Sequence, residues 1–458
     1  MVQMKSWLLW VTLVGCGGSS SESETVAPSS SADAGVDIVV TLVTGVRSDP
    51  KGNADESFLD ATGLTGTRFV NAYAQSPSGF ASLGSLLTGR YVGAIPMCGL
   101  LLEGDRVHTD DQQAWCAQIP EQQNTLAEVL GLYGYRTGFF TGDLASAKRL
   151  NHGFDTADHH TQWSDAMDAA KSWWAEDSSK PRLLVVVLSD DEGDILQSSS
   201  LPRFPERKYQ WLEPLDPRVG KVSLDADSVA TAYSSASKRA GASIASLLKG
   251  LDETRPRWTV AASTNGMSLT ERGGFYASAV PLLTNNLLVD RAVRVPLLLS
   301  GPGQSAVNDE SIVELVDIFP TLAGVAGAIA PAGQPGSDLR TPVSGTAYAE
   351  FGDMLSVRHE SDFLVFRCTQ HNATSIDPGL TRVLQDPNSA RPPEFYSLYN
   401  VVDDPMQEHN LRQSDEAKFV AMRKRMIALR TGAAAVPEDA ITPERLWALR
   451  MAPSDGYW

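Results

Sequence analysis

Short, almost continuously apolar runs recur along the chain and predict its buried strands. A run of this length, bounded by polar or glycine-rich segments, is typical of a strand that is covered on both faces of a sheet. The runs lie at residues 38–43, 183–188, 258–262 and 295–299. We therefore expect these four segments to form the centre of one sheet.

Longer stretches with a helical spacing of apolar residues separate or follow these runs. The predicted helices lie at residues 124–133, 164–174, 229–251 and 311–325. Strands that alternate with helices predict parallel strands whose crossover helices cover both faces of the sheet. The chain has 458 residues, of which 42% are hydrophobic, and is long enough to bury a large core.

The last quarter of the chain has a different pattern. Predicted strands lie near residues 345–351, 362–366 and 395–401, and a predicted helix follows at 417–429. Strands in succession, followed by a helix, are typical of an α+β arrangement. We expect a smaller C-terminal α+β subdomain here, separated from the first domain by a join rich in Gly, Ala and Pro at 326–342.

The first residues resemble a bacterial lipoprotein signal. Lys5 precedes a short apolar stretch, and Leu-Val-Gly-Cys at residues 13–16 forms a lipobox whose Cys16 would be acylated. A plain signal peptide and a buried helix are the alternatives. The Ser- and Gly-rich residues that follow predict a tether. The expected parts of the chain are a signal peptide (1–15), a tether (16–35), an α/β domain (36–340), the α+β subdomain (345–431) and a tail (432–458).

Charge and cysteine content restrict the partners and the compartment. A formal net charge of −17 argues against nucleic acid and against broad binding to acidic polysaccharides. Local basic patches at 203–208 and 423–430 stay possible in principle, although the second is typical of a solvated helix face. Cys98 and Cys116 are disulfide candidates, which suits an oxidising periplasm or cell surface. We expect Cys368 to be a buried thiol.

Residues 71–90 carry the most informative motif. They read Asn-Ala-Tyr-Ala-Gln-Ser-Pro-Ser-Gly-Phe-Ala-Ser-Leu-Gly-Ser-Leu-Leu-Thr-Gly-Arg. This segment resembles the nucleophile segment of the sulfatases, which belong to the alkaline phosphatase superfamily. Its two ends match without a gap and align the family nucleophile with Gly79 and a family arginine with Leu83. Glycine cannot attack an ester, and loss of a nucleophile lowers turnover by about 10^6.

Neighbouring hydroxyls are the only substitutes for that nucleophile in the segment. Ser78 and Ser82 flank the position, but nothing close to them in sequence supplies a base or a metal. We therefore expect neither serine to act as a nucleophile.

The resemblance also locates the family's metal ligands. The strand at 36–43 leads to Thr44 and Gly45, where the family has two aspartates, and Thr264 and Asn265 replace the aspartate and histidine of a Ser-Asp-His-Gly motif. The family would use Ca²⁺ or another divalent cation, whose affinity falls as carboxylates are removed. We expect no metal here, and we expect Asp49, just beyond the lost pair, to support its loop.

The positions that would bind the substrate anion have changed as well. Residues 124–140 resemble the family helix and strand that lead to a lysine and a histidine, and the corresponding positions are Gly142 and Leu144. The acidic residues at 189–194 would repel an anionic ester, or form a solvated loop or a cation site of another kind. A polar cluster at 155–160 contains His159 and His160, but adjacent residues on a loop rarely converge on one ion.

The resemblance continues where packing sets the residue. It covers residues 293–303, 314–324 and 395–411, with Asp317 as a helix N-cap and Pro320 in the first turn. It implies a sulfatase-like α/β fold with a central, mostly parallel sheet. We expect a non-catalytic envelope lipoprotein that binds an envelope protein or a glycan. The alternatives are a structural component of an envelope assembly and an active sulfuric or phosphoric ester hydrolase with an altered site.

Overall fold

The structure is a computed structural model. It describes residues 35–48, 54–95, 119, 123–142, 150–160, 162–188, 226–267, 288–343, 345–351, 354–366 and 396–433. The described residues all belong to one compact unit, which begins at Gly35. No helix among them is long and apolar enough to cross a membrane.

A mixed, mostly parallel sheet forms the centre of the molecule. Its strands are β1 (Asp37–Val43), β2 (Thr67–Tyr73), β3 (Arg136–Gly142), β4 (Thr156–His160), β5 (Arg182–Leu188), β6 (Arg257–Ser263), β7 (Arg294–Ser300) and β8 (Val307–Glu314). Their order is β4-β3-β5-β1-β6-β7-β2-β8. Strands β4, β3, β5, β1 and β6 are mutually parallel, and β7 runs antiparallel to both of its neighbours.

Helices pack on both faces of this sheet, and a second sheet follows it in the chain. The helices are α1 (Ala54–Thr62), α2 (Gly79–Thr88), α3 (Leu126–Leu132), α4 (Trp163–Glu176), α5 (Ala226–Lys249), α6 (Asp290–Val293), α7 (Ile318–Val325) and α8 (Glu416–Ala433). The second sheet contains β9 (Thr346–Phe351), β10 (Met354–His359), β11 (Asp362–Phe366) and β12 (Tyr396–Asn400), all antiparallel.

Strand β1 shows why the apolar runs are continuous. Ile38, Val40 and Leu42 point into the core on the face covered by α2, α3 and α7. Val39 and Val43 point into the opposite core, which α1, α4 and α5 cover. Because successive side chains alternate between faces, a strand covered on both sides needs apolar residues at every position.

Most of the predicted elements are confirmed, and the differences have physical reasons. Residues 311–325 were predicted to be one helix, but 307–314 form strand β8 and the helix begins at Ile318. Ile312 and Val313 pair with β2 instead of following a helical turn. The run at 295–299 is a strand as predicted, but an antiparallel one. Strands β2, β4, β8 and β10 were not recognised as strands from the pattern.

Asp317 occupies the N-cap position of α7 but does not cap it with its side chain. Its carboxylate accepts the backbone N–H groups of Glu314 and Ser337, each at 2.7 Å. The prediction that the side chain of Asp317 caps the helix is therefore wrong. The carboxylate instead joins the end of β8 to the loop after α7.

The two edges of the central sheet differ in function. We call the edge at which the parallel strands begin the amino edge, and the opposite one the carboxyl edge. At the amino edge, Arg182 and Asp37 form a buried ion pair, with Nη2 2.6 Å from Oδ2 and both side chains essentially inaccessible. This pair joins the starts of β5 and β1. The positions singled out in the sequence lie at the carboxyl edge.

Candidate functional site

The ends of β1 and β6 meet the start of helix α2 at the carboxyl edge. Thr264 donates its backbone N–H to Val43 (2.8 Å), and Gly45 donates its N–H to Oδ1 of Asn265 (3.2 Å). Gly79 is the first residue of α2 and faces these groups. Positions that are more than 180 residues apart in the sequence therefore form one site, and we call it the residue-79 site.

The residue-79 site has no room for a side chain at its central position. A β-carbon at Gly79 would lie 2.8 Å from Asn265 Oδ1, 2.8 Å from Thr264 Oγ1 and 3.3 Å from Thr44 Cγ2. Real β-carbons almost never come closer than 3.0 Å to such atoms. Polar side chains thus already occupy the space that a nucleophile would need.

These polar groups are bonded to one another and to the backbone. Thr264 Oγ1 lies 3.2 Å from Asn265 Oδ1 and 3.4 Å from the carbonyl oxygen of Val43. Asn265 donates through Nδ2 to the carbonyl of Gly266 (2.9 Å). The side chains of Thr264 and Asn265 are fully buried. Because a buried polar group is stable only when it is paired, this bonding suits a site that works without an ion.

The electrostatics of the residue-79 site do not suit a divalent cation. Thr44, Gly45, Thr264 and Asn265 carry no charge at any ordinary pH, whereas calcium sites use several carboxylates. Arg47, the ionic side chain that the structure describes on the loop after β1, donates through Nη1 to the carbonyl of Met267 (3.3 Å). The residues present do not fit the metal that the family uses.

The loop after β1 is also held from the outside by helix α5. The hydroxyl of Tyr233 donates to the carbonyl of Gly45 (2.8 Å) and accepts the backbone N–H of Arg47 (2.7 Å). Ser263 Oγ accepts the N–H of Val46 at 3.0 Å. These hydrogen bonds hold the loop after β1 in place, and each of them joins a neutral hydroxyl to a backbone group.

The two serines near Gly79 have structural bonds. Ser82 is fully buried, and its Oγ donates to the carbonyl of Ser76 (2.8 Å) and accepts the N–H of the same residue (3.0 Å). Ser78 is the N-cap of α2 and accepts the N–H of Ala81 at 3.5 Å. Among the described residues, neither hydroxyl is bonded to an imidazole or a carboxylate that could activate it as a base.

Leu83 and Gly142, two further positions of the predicted site, lie in close contact with packed side chains. Leu83 lies in the hydrophobic core and is fully buried, so the position of the family arginine now stabilises the fold. A β-carbon at Gly142 would lie 3.0 Å from Cδ1 of Trp163 and 3.2 Å from its backbone nitrogen. A side chain at this position would therefore require Trp163 to move slightly.

Several predicted features lie outside the described residues. They are Cys16, Asp49, Cys98, Cys116, Leu144, the acidic residues at 189–194, the basic residues at 203–208, Cys368 and the tail from 434 onward. Their predicted roles stay predictions.

The histidines of the polar cluster lie on the edge strand β4. His160 Nε2 is 3.2 Å from Asp158 Oδ2, and the carboxylate of Asp155 accepts the N–H of Thr137 (2.9 Å). Across the part of the chain that the structure describes, no three His, Cys, Asp or Glu side chains come close enough to hold a metal ion.

A cluster of buried carboxyl groups lies at the end of β8 and was not predicted from the sequence. Glu314 Oε1 accepts from the backbone of Tyr348 (2.8 Å) and from Nε2 of Gln75 (3.2 Å), and Oε2 accepts from the hydroxyl of Tyr91 (2.8 Å). Burial, and secondarily the nearby charge of Asp317, raise the pKa of Glu314 to about 8. Burial also raises the pKa of Asp317. The family-like spacing of Glu314 and Asp317 was the only sequence signal for this cluster.

A third buried carboxylate has a cationic partner. Glu350 Oε2 lies 2.8 Å from Nη1 of Arg430 on helix α8 and accepts from the hydroxyl of Tyr348 at 3.2 Å. The groups that donate hydrogen bonds to Glu314, by contrast, are neutral. Glu314 is therefore the group whose ionisation would be most costly to the fold.

We expect the stability of the protein to fall as pH rises from about 4.5 to about 8. In this range the folded chain keeps a proton on Glu314 that the unfolded chain has lost, so raising the pH favours unfolding. The Glu314→Gln variant keeps the shape of the protonated group and should lose on the order of 5 kcal/mol of this pH dependence, because each pH unit between the two pKa values contributes about 1.4 kcal/mol. Chemical denaturation of both proteins across that range is the measurement. Parallel pH profiles would contradict the assignment.

Comparison with known proteins finds sulfatases and a related hydrolase among the proteins that this chain resembles. A family model described as Sulfatase matches residues 52–328, which is more than half of the chain. No curated protein matches its sequence.

Solved structures share the fold at low sequence identity. A 2-O GAG sulfatase has a TM-score of 0.61 and 14% identity, and the alignment covers 89% of this chain and 94% of that chain. The phosphonate monoester hydrolase of Agrobacterium radiobacter has a TM-score of 0.60 and 14% identity, with 87% and 96% covered. At such identity these matches show a common fold and nothing about the site.

Proposed function

Because this chain belongs to the sulfatase family, we propose that it uses the family fold as a non-catalytic binding or scaffold protein of the bacterial cell envelope. One observation carries this proposal. Gly79, at the position of the nucleophile, packs so closely against Thr264 and Asn265 that even a β-carbon would collide with both. The residue-79 site thus lacks both the reactive group and the space for it.

The electrostatics of the site support the same proposal. Hydrolysis of a sulfate or phosphate ester needs groups that stabilise the charge developing on oxygen, such as cations or preorganised donors. Thr264 and Asn265 use their polar atoms on each other and on the backbone. Leu83 and Gly142 supply no charge where relatives have an arginine and a lysine. These four positions, among the residues that the structure describes, therefore offer no charge to an anionic ester.

The position in the envelope follows from the sequence of the first residues. We propose that Cys16 is acylated and that the mature protein is held at the membrane by this lipid. The partner would be an envelope protein or a glycan, bound through a surface of the scaffold other than the residue-79 site.

An activity assay tests the proposal against the alternative of an active hydrolase. The full-length protein is assayed with an aryl sulfate and an aryl phosphate in the presence of calcium, magnesium or a chelator, beside an active sulfatase as control. We expect turnover at the background rate in every condition, and a melting temperature that does not depend on the metal. Turnover that the chelator abolishes, or stabilisation by calcium, would establish the hydrolase instead.

A further inference from the structure

The two most exposed large aliphatic side chains of the described residues lie on two segments that a hydrogen bond joins. Leu132, at the end of α3, is 86% exposed, and Ile329, in the loop after α7, is 80% exposed. Tyr133 connects them, because its hydroxyl accepts the backbone N–H of Ile329 (3.2 Å). We call Leu132, Tyr133 and Ile329 the apolar tip.

The surroundings of the apolar tip contain no charge in the local sequence. Residues 129–135 and 325–336 include no Asp, Glu, Lys or Arg, although such residues make up 20% of the chain. The backbone of the apolar tip is held in place by the hydrophobic core, since Ala328 and Leu130 belong to that core. Exposed aliphatic side chains on a rigid, uncharged base mark a surface that binds something apolar.

The position of the apolar tip suggests what covers it. Tyr133 lies three residues before Arg136, the start of β3, and the N–H of Arg136 donates to the carbonyl of Pro181 (2.9 Å). A β-carbon at Gly35 would lie 3.1 Å from the side chain of Pro181. The apolar tip and the residue at which the compact unit begins therefore lie at the same amino edge of the sheet.

We infer that the apolar tip inserts into a phospholipid bilayer and turns the amino edge of the sheet toward the membrane. This inference rests on the proposed lipid anchor at Cys16. Eighteen residues lie between Cys16 and Gly35, so a fully extended chain from the anchor reaches at most about 65 Å from the bilayer surface to Gly35. An apolar surface held at that distance meets the membrane at a high effective concentration.

The charge of the protein selects the kind of lipid. Arg90 donates to the carbonyl of Gly333 in the second segment (3.5 Å), but a net charge of −17 opposes attraction of the protein to anionic headgroups. The tip fits a zwitterionic surface such as phosphatidylcholine, where the aliphatic side chains leave water and the tyrosine ring sits at headgroup level. The residue-79 site, at the carboxyl edge, then faces away from the membrane.

Photo-crosslinking tests this orientation. The mature protein, acylated at Cys16, is bound to phosphatidylcholine vesicles with p-benzoylphenylalanine in place of Leu132, Ile329 or, as a matched control, Val402. Val402 is 58% exposed, and Gln407 from the same turn accepts the N–H of Asp290 just before β7, at the carboxyl edge. We expect lipid adducts at positions 132 and 329 in about tenfold or greater excess over position 402.

Two results would overturn the inference. Adducts between two copies of the chain at position 132 would show that a second copy covers the apolar tip. Equal lipid labelling at positions 132, 329 and 402, or none, would show that the tip faces water.

A second arm separates this inference from the proposed function. If Cys16 carries no acyl group in cells, the same full-length variants are held on the vesicles by an N-terminal polyhistidine tag and a nickel-chelating lipid. Absence of the acyl group would then contradict the proposed anchor alone. The labelling pattern would still show whether the apolar tip contacts lipid.

Discussion

Replacing Thr264 by aspartate is expected to lower the free energy of unfolding by about 3 kcal/mol or more. Thr264 is fully buried, and its Oγ1 faces the carbonyl oxygen of Val43 and Oδ1 of Asn265. A carboxylate at this place would meet acceptors and find no cation to pair with. It would be destabilising when charged and would otherwise have to take up a proton. Denaturation at neutral pH in the presence of chelator measures the effect.

The Thr264→Asn variant is the matched control, because asparagine has the volume of aspartate without its charge. We expect it to cost clearly less, and calcium to stabilise neither variant. If calcium restored the stability of Thr264→Asp, the residue-79 site would still be able to hold an ion, and the proposal of a metal-free scaffold would be wrong.

The Gly79→Ala variant is expected to lose about 1–3 kcal/mol of stability, since the added methyl group overpacks the residue-79 site. It would lie 2.8 Å from two side-chain oxygens. One of these oxygens, Asn265 Oδ1, is fixed by the N–H of Gly45. Glycine therefore fits this position better than a larger residue would, although the family has its nucleophile there.

Gly131→Ala provides the control for this variant. Gly131 also lies in a helix, α3, and a β-carbon there would have nothing within 4 Å. This change should stabilise the protein by about 0.5–1 kcal/mol, because alanine favours helix more than glycine does. Equal effects of the two substitutions in chemical denaturation would show that the residue-79 site has space to spare.

The sequence predicted the central sheet well because burial on both faces leaves a strong local signal. The runs that became β1, β5, β6 and β7 are apolar at nearly every position, and that signal does not depend on the rest of the chain. Strand β8 was mistaken for part of a helix. Its first residues are polar and exposed, and only its last three positions are buried, so it has no strand pattern of its own.

The motifs predicted which residues form the residue-79 site, but they did not predict how these residues pack against one another. The matching ends of residues 71–90 aligned Gly79 with a nucleophile position, which is a statement about residue types. That Thr264 and Asn265 fill the space beside it depends on how β6 ends against β1, and the sequence does not encode this in any local pattern. Likewise, Leu83 was recognised as a lost arginine, but not as a core residue.

The buried cluster around Glu314 could not have been found from sequence. Its partners Gln75, Tyr91 and Tyr348 come from separate segments of the chain and meet only when the second sheet packs beside the first. Retained packing residues beside a neutral site are what we expect when a fold is kept for binding instead of its earlier chemistry.

A crystal structure from crystals grown in calcium would show whether this chain holds an ion beside residue 79. We expect Thr264 and Asn265 to stay bonded to each other there, with no ion between them and the end of β1. Density for a cation coordinated there by oxygens of this chain would contradict it.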